Sequence, residues 1–211
     1  MGSETITDVT DIDDLVDRVA ARAAAGSAAL PARIPDKQIK IAEQRLGFVL
    51  HPLLTRLYRE VADGGFGPDY QLLPLFGPGE SVVGEYALRR EAASGPQQPA
   101  EPGEVVPQDQ RWPAGVVPIL TWGCAMYACV DCFDPDGQVL LFEPNAYLGG
   151  PGVECWFLDS ASLQAWLETW LAGTGWFEPD ADGRDDMPQP WLHAAARLSD
   201  DVEPEAGAPP Q

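Results

Sequence analysis

Apolar residues recur at helical spacing through the first half of the chain and in short, often alternating runs through the second. Ile12, Leu15, Val16 and Val19 share one face and predict a short helix over 12–25. A disordered stretch is expected before it, at 1–11, and Gly26 to Pro31 breaks it. Pro35-Asp36 opens a second helix with Asp36 as the expected N-cap. Its buried stripe is Ile39, Ala42 and Leu46, and Gly47 ends it. A third helix is predicted from Pro52 to Ala62, since proline costs nothing in a first helical turn. Leu53, Leu54, Leu57, Tyr58 and Val61 line its apolar side, and Gly64-Gly65 closes it. Tyr70 to Phe76 reads as a strand or extended segment, and Ser81 to Ala93 as a helix. Residues 94–113 hold prolines at 96, 99, 102, 107 and 113 and read as a mobile, Pro-rich insertion.

Four strands are expected next: Val116 to Trp122, Tyr127 to Phe133, Gln138 to Glu143 and Val153 to Leu158. Asp136-Gly137 is a tight-hairpin signal between two of them. Asp159 is the expected N-cap of a last long helix, in which Leu163, Trp166, Leu167, Trp170 and Leu171 build one wide apolar face. Gly173 stops it, and Trp191 to Leu198 adds a short C-terminal helix. Helices, then a meander, then a helix give an α+β fold with a central, largely antiparallel sheet.

Charge alters this picture mainly at the ends. The net charge is −20, of which residues 1–17 carry −6 and residues 178–211 carry −7, leaving −7 for 18–177. Acidic tails keep a protein soluble and monomeric; the same acidity also attracts a basic partner. Thirteen Lys and Arg against 33 Asp and Glu disfavour nucleic acid, because phosphate binding needs cations. No apolar run reaches the roughly 20 residues that span a bilayer. The acidic first 17 residues lack the basic start of a secretory signal, so a cytoplasmic, monomeric protein with reduced thiols is expected.

Candidate chemistry is sparse. His51 and His193 are the two histidines, the first at a helix start and the second in the acidic tail. Neither belongs to a nucleophile motif. Cys129 and Cys132 form a C-x-x-C with Cys124 and Cys155 nearby, but three residues along a strand send the thiols to opposite faces. Neither a tetrahedral metal site nor a helix-start redox pair is expected there, and no cofactor. Gly64-Gly65-Phe66-Gly67-Pro68 lacks the Lys-Ser/Thr of a phosphate-cradling loop. Of the carboxylates Asp131, Asp134, Asp136 and Glu143, Asp131 and Glu143 have apolar neighbours; such groups cap, pair, face a partner, or in the enzymatic reading act as acid and base.

In order, these pieces resemble the SUKH superfamily, which is related to the fungal cell-wall-synthesis regulator. The residues that carry the resemblance run from Ile39, Ala42-Glu43, Leu46-Gly47-Phe48, Leu50 and Leu57-Tyr58 to the hallmark Asp63-Gly64-Gly65-Phe66-Gly67-Pro68 and Leu73-Pro74-Leu75. Trp112-Pro113, Val117-Pro118-Ile119, Trp122-Gly123-Cys124, Cys129-Val130-Asp131, Gly137-Gln138-Val139 and Phe142-Glu143 continue it. Ser162-Leu163, Trp166-Leu167 and Trp170-Leu171 close it. Asp63 stands where the family often has Asn, and His51 intervenes between Leu50 and Pro52.

The resemblance implies a SUKH-like domain at 34–177, flanked by an acidic N-terminal segment at 1–33 and a mobile acidic tail at 178–211. It also implies no catalysis and a protein partner; many bacterial members are immunity proteins that bind a toxin directly. A basic toxin domain such as a nuclease fits the acidity; a regulatory scaffold using the insertion and tails is the alternative. The candidate contact set is Gly65, Phe66, Asp69, Tyr70, Asp131, Glu143 and Tyr147, drawn from two loops and two strand ends.

Overall fold

The computed structural model describes residues 5–27, 29–94, 112–146, 152–175, 177 and 189–199. The order is α1 (Thr5–Gly26), α2 (Asp36–Leu46), α3 (Pro52–Arg56) running into a π-helical turn (Leu57–Val61), and α4 (Val82–Ser94). Then come β1 (Val116–Gly123), β2 (Met126–Asp131), β3 (Val139–Phe142), β4 (Trp156–Ser160), α5 (Leu163–Ala172), β5 (Gln189–Pro190) and α6 (Ala194–Ser199). The strands form one antiparallel sheet in the order β1-β2-β3-β4-β5. The architecture is α+β, as the element order implied. Among the described residues no helix is long and apolar enough to cross a membrane.

Nearly every residue of β2 and β3 is buried, so each face of the sheet carries a layer. On one face the register sets Tyr127, Phe142 and Trp156 side by side across β2, β3 and β4. Trp112 packs edge-on or tilted against all three, with ring centroids 6.3, 5.1 and 4.8 Å away, and Arg89 of α4 lies over Trp112, Tyr127 and Phe142. The other layer is α5 with α1, and Leu163, Trp166 and Leu167 of α5 are fully buried. Two side chains fasten α5. Ser162, its N-cap, accepts from Ala165 N at 3.0 Å. Asp159 is skipped by the β3–β4 register, and this irregularity aims its carboxylate at Trp166 Nε1, 3.0 Å away.

Several local expectations are corrected. The N-terminal helix begins at Thr5, inside the stretch read as disordered. Pro35, not Asp36, holds the N-cap position of α2; Asp36 pairs with Arg59 at 2.7 Å. Ser162 takes the cap assigned to Asp159. Residues 70–76 lie outside the sheet ladder, with bends at Leu75 and Phe76; Leu73 N–H donates to Ile119 O and shields the outer edge of β1 beside its bulge. Asp136-Gly137 ends a longer β2–β3 loop, and the two-residue turn is Cys124-Ala125, both at positive φ (49° and 63°) as a type I′ hairpin requires. Residues 189–199, read as part of a mobile tail, return to the sheet edge as β5 and α6. The proline-rich stretch 95–111 lies outside the described residues.

The N-terminal segment is built into the core. Leu15, Val16, Val19 and Ala23 of α1 are buried. Arg18 Nη1 donates to Glu168 of α5 at 2.7 Å, Arg22 Nη1 to Leu171 O at 2.8 Å, and Arg56 pairs with Asp13 at 2.6 Å. Leu15→Ala is therefore expected to destabilise the chain by roughly 2–5 kcal/mol, the usual range for a fully buried leucine. Urea unfolding followed by tryptophan fluorescence measures this; an unchanged midpoint would make α1 an appendage.

Candidate functional site

The hallmark loop is shaped where α3 runs out. After the π turn, Ala62 is extended and the chain doubles back. Asp63 Oδ1 accepts from Leu75 N at 2.7 Å, and Tyr58 Oη donates to Leu73 O at 2.8 Å. Gly64 sits at φ +72°, and a Cβ there would fall 2.5 Å from Leu72 O, so no other residue fits. Gly65 N donates to Leu72 O (2.9 Å) and Leu72 N to Phe66 O (2.7 Å), closing the loop on itself. Phe66 is consequently buried, while Asp69 and Tyr70 stand at the exposed tip, with Tyr70 58% exposed. Burial pushes the Asp63 carboxyl above its ordinary value, the Leu75 N–H only partly offsetting this. The buried Tyr58 phenol is raised further, by desolvation and by the Asp63 charge.

Tyr70 leans edge-on against Trp122, centroids 6.1 Å apart, and Trp122 stacks on Phe177 at 5.3 Å. This places the loop tip beside the Cys124-Ala125 turn, at one end of the sheet. Thr121 pairs with Tyr127 and Tyr127 with Phe142, so Glu143 lies at that same end, two strands across. Its carboxylate accepts from Asn145 N and Nδ2, both at 2.7 Å. Tyr127 Oη lies 3.3 Å from Glu80 and 3.2 Å from Glu85. Of the residues expected to act together, the structure thus gathers Asp69, Tyr70 and Glu143 at one end, while Gly65 lies at the base of the loop against Pro31. Tyr147 lies outside the described residues.

Two members of the expected set are covered by the chain itself. Phe66 packs inward as part of the core. Asp131 ends β2 about 17 Å from the Met126 end, counting five residues of extended chain. It is 2% exposed and receives Arg197 Nη1 at 2.7 Å and Nη2 at 3.0 Å, plus Phe133 N–H at 3.0 Å. Its neighbours are apolar because it is buried, and its ion pair comes from a segment that the sequence did not link to it. The hint lay in Trp191 and Leu198, two apolar residues in an acidic stretch.

The other chemistry-bearing groups are also structural. His51 is buried rather than at the surface, with Nε2 3.1 Å from Pro135 O. Its ring fills the space a side chain at Gly137 would need, and Gly137 sits at φ +64°. Burial holds the Cys129 thiol well above its ordinary value, Cys132 at about 12 and Cys155 at about 11; nearby Glu154 and Glu143 add to the last. Such thiols are poor nucleophiles and poor metal ligands. Among the described residues no three His, Cys, Asp or Glu side chains are grouped to hold a metal.

The surface charge is one-sided. From Trp112 to Gly183 the sequence has no Lys or Arg, while Asp134, Asp136, Glu143 and Glu154 lie at least partly open on the sheet half. On the helical half, Arg18, Arg56 and Arg59 are engaged in ion pairs with carboxylates of their own half or of α5.

The model of the SMI1 / KNR4 family (SUKH-1) matches residues 33–169, which runs from just before α2 into α5. No curated protein matches the chain.

Two measurements check this site. Ellman's reagent at pH 8 is expected to titrate one thiol in the native protein, the exposed Cys124, and four after unfolding. Labelling of a second native thiol at a comparable rate would place Cys132 outside the core. Asp63→Asn keeps the acceptor for Leu75 N–H and removes the desolvated charge. A carboxylate whose folded value is raised contributes most below its unfolded value and loses that contribution as pH rises through the folded one. The variant should therefore match the parent near pH 3 and gain on it between pH 4 and 6. A gap that narrows over that range has the wrong sign.

Proposed function

The chain belongs to the SMI1/KNR4 (SUKH-1) family, and from that premise we propose a non-catalytic protein-binding module that acts as an immunity protein by occluding a basic toxin domain. The observation that carries this reading is the partly open Asp134, Asp136 and Glu143 on the sheet half, in a stretch, 112–183, whose sequence holds no Lys or Arg. A surplus of surface carboxylates accelerates encounter with a cationic partner and repels nucleic acid. The contact face is the sheet end that holds Asp69, Tyr70, Glu143 and Asn145. Tyr70 supplies the large amphipathic side chain favoured at the centre of binding sites, and the glycine-locked loop presents it at little entropic cost. No reaction is assigned, since the buried thiols, His51 and Asp131 are each committed to the fold.

The test is co-expression with toxins encoded beside this gene, together with pull-down by the purified chain. Protection and a 1:1 complex are expected. Affinity should fall steeply between about 50 and 300 mM salt. Tyr70→Ala should weaken binding at least tenfold with no change in unfolding midpoint. Failure to neutralise any neighbouring toxin removes the immunity role; binding indifferent to salt removes the electrostatic one.

A further inference from the structure

The segment 189–199 lies beyond the family match yet covers part of the sheet within it. Its attachment is slight along the backbone. β5 pairs with β4 at only two positions, one of them Pro190, which has no N–H to give. Trp191 N–H donates to Trp156 O at 2.9 Å, and the Trp191 ring lies 6.1 Å from that of Trp156. Trp191 Nε1 is buried with no acceptor among the described residues. A cavity of about 280 Å³, bordered by Leu158, Trp191 and His193, remains under the crossing, and Leu192 points to solvent.

At the far end the hold is of another kind. Arg197 reaches the buried carboxylate of Asp131 with two nitrogens and donates to Ala114 O at 2.7 Å. Its guanidinium packs over Phe133 and Trp191. A carboxylate so placed cannot stay covered without a partner, because an unpaired buried charge is strongly destabilising; with the segment lifted away, water solvates it instead. Whatever lies in this groove must bring a cation.

We propose that residues 189–199 are a releasable strap that fills, within the chain, a groove suited to an extended arginine-bearing segment of a partner protein. Such a segment adds to the edge of β4 in place of β5 and sets its own guanidinium on Asp131 in place of Arg197. β4 runs from Trp156 to Ser160 while β5 engages only Phe157 and Leu158, so a proline-free strand has more backbone to pair with. The strap itself stands apart from the immunity reading; only the identity of the incoming segment rests on it.

The test uses the full chain and a synthetic peptide of residues 189–199. In the unaltered protein, amides of 189–199 should exchange with solvent at least 100-fold faster than those of β1–β3. The full chain carrying Arg197→Ala should stay folded by circular dichroism and bind the fluorescent peptide at least tenfold more tightly than the unaltered chain does. A peptide carrying the same Arg197→Ala change should lose that binding. Equal protection of strap and sheet, an unfolded Arg197→Ala chain, or no peptide capture by a folded one each overturns the strap. A strap that opens and accepts the peptide, in a chain that neutralises no toxin, leaves this inference standing and removes only the immunity role.

Discussion

A sheet in which β2 and β3 are buried at nearly every position has to be covered twice, and the rest of the molecule follows from that requirement. Strands of this kind bury apolar residues at every position and do not alternate. The first cover is aromatic: Trp112, Tyr127, Phe142 and Trp156 pack at centroid distances of 4.8 to 6.3 Å, with Arg89 laid across them. The second is helical, and α5 cannot provide it alone. α1 completes that layer from outside the region the family model spans. The same holds for Trp191 and Leu198 on the other side. The chain thus encloses the family domain between two elements of its own.

Much of this was legible because periodicity reports burial directly. The helical stripes of α2 and α5 and the four apolar runs of the sheet were plain, since each buries a face fixed by its own spacing. What escaped was governed by contacts between distant residues. Asp36 and Asp159 look like caps locally, but Arg59 and Trp166 claim their carboxylates. Asp136-Gly137 looks like a tight turn, but the His51 ring, far away in sequence, shapes that loop. Asp131 looked like a contact residue because no local feature announces Arg197.

The candidate site divides along the same line. The glycines of the 64–67 loop were readable because backbone geometry at Gly64 admits nothing else. That Tyr70 and Glu143 share one end of the sheet while Asp131 occupies the other depends on strand register, which sequence alone leaves open. The one-sided charge is a matter of assembly too. Acidic residues are spread along the chain, and it is the fold that engages Arg18, Arg56 and Arg59 on the helical half and Arg197 at Asp131, and leaves Asp134, Asp136 and Glu143 partly open.

The union of α1 with α5 also bears on how the chain is made. Arg18 and Glu168 stand 150 positions apart, so α1 leaves the ribosome well before the helix that completes its layer. At ordinary translation speeds of roughly 5–20 residues per second, α1 waits on the order of 8–30 s for α5, with the turn at 57–61 and Arg56 as its earlier neighbours. Asp11, Asp13, Asp14 and Asp17, interleaved with its apolar stripe, give the nascent helix the repulsion that keeps neighbouring polysome chains from sticking. The meander, by contrast, makes contacts close in sequence, so its strands can pair as they emerge, without waiting for α5.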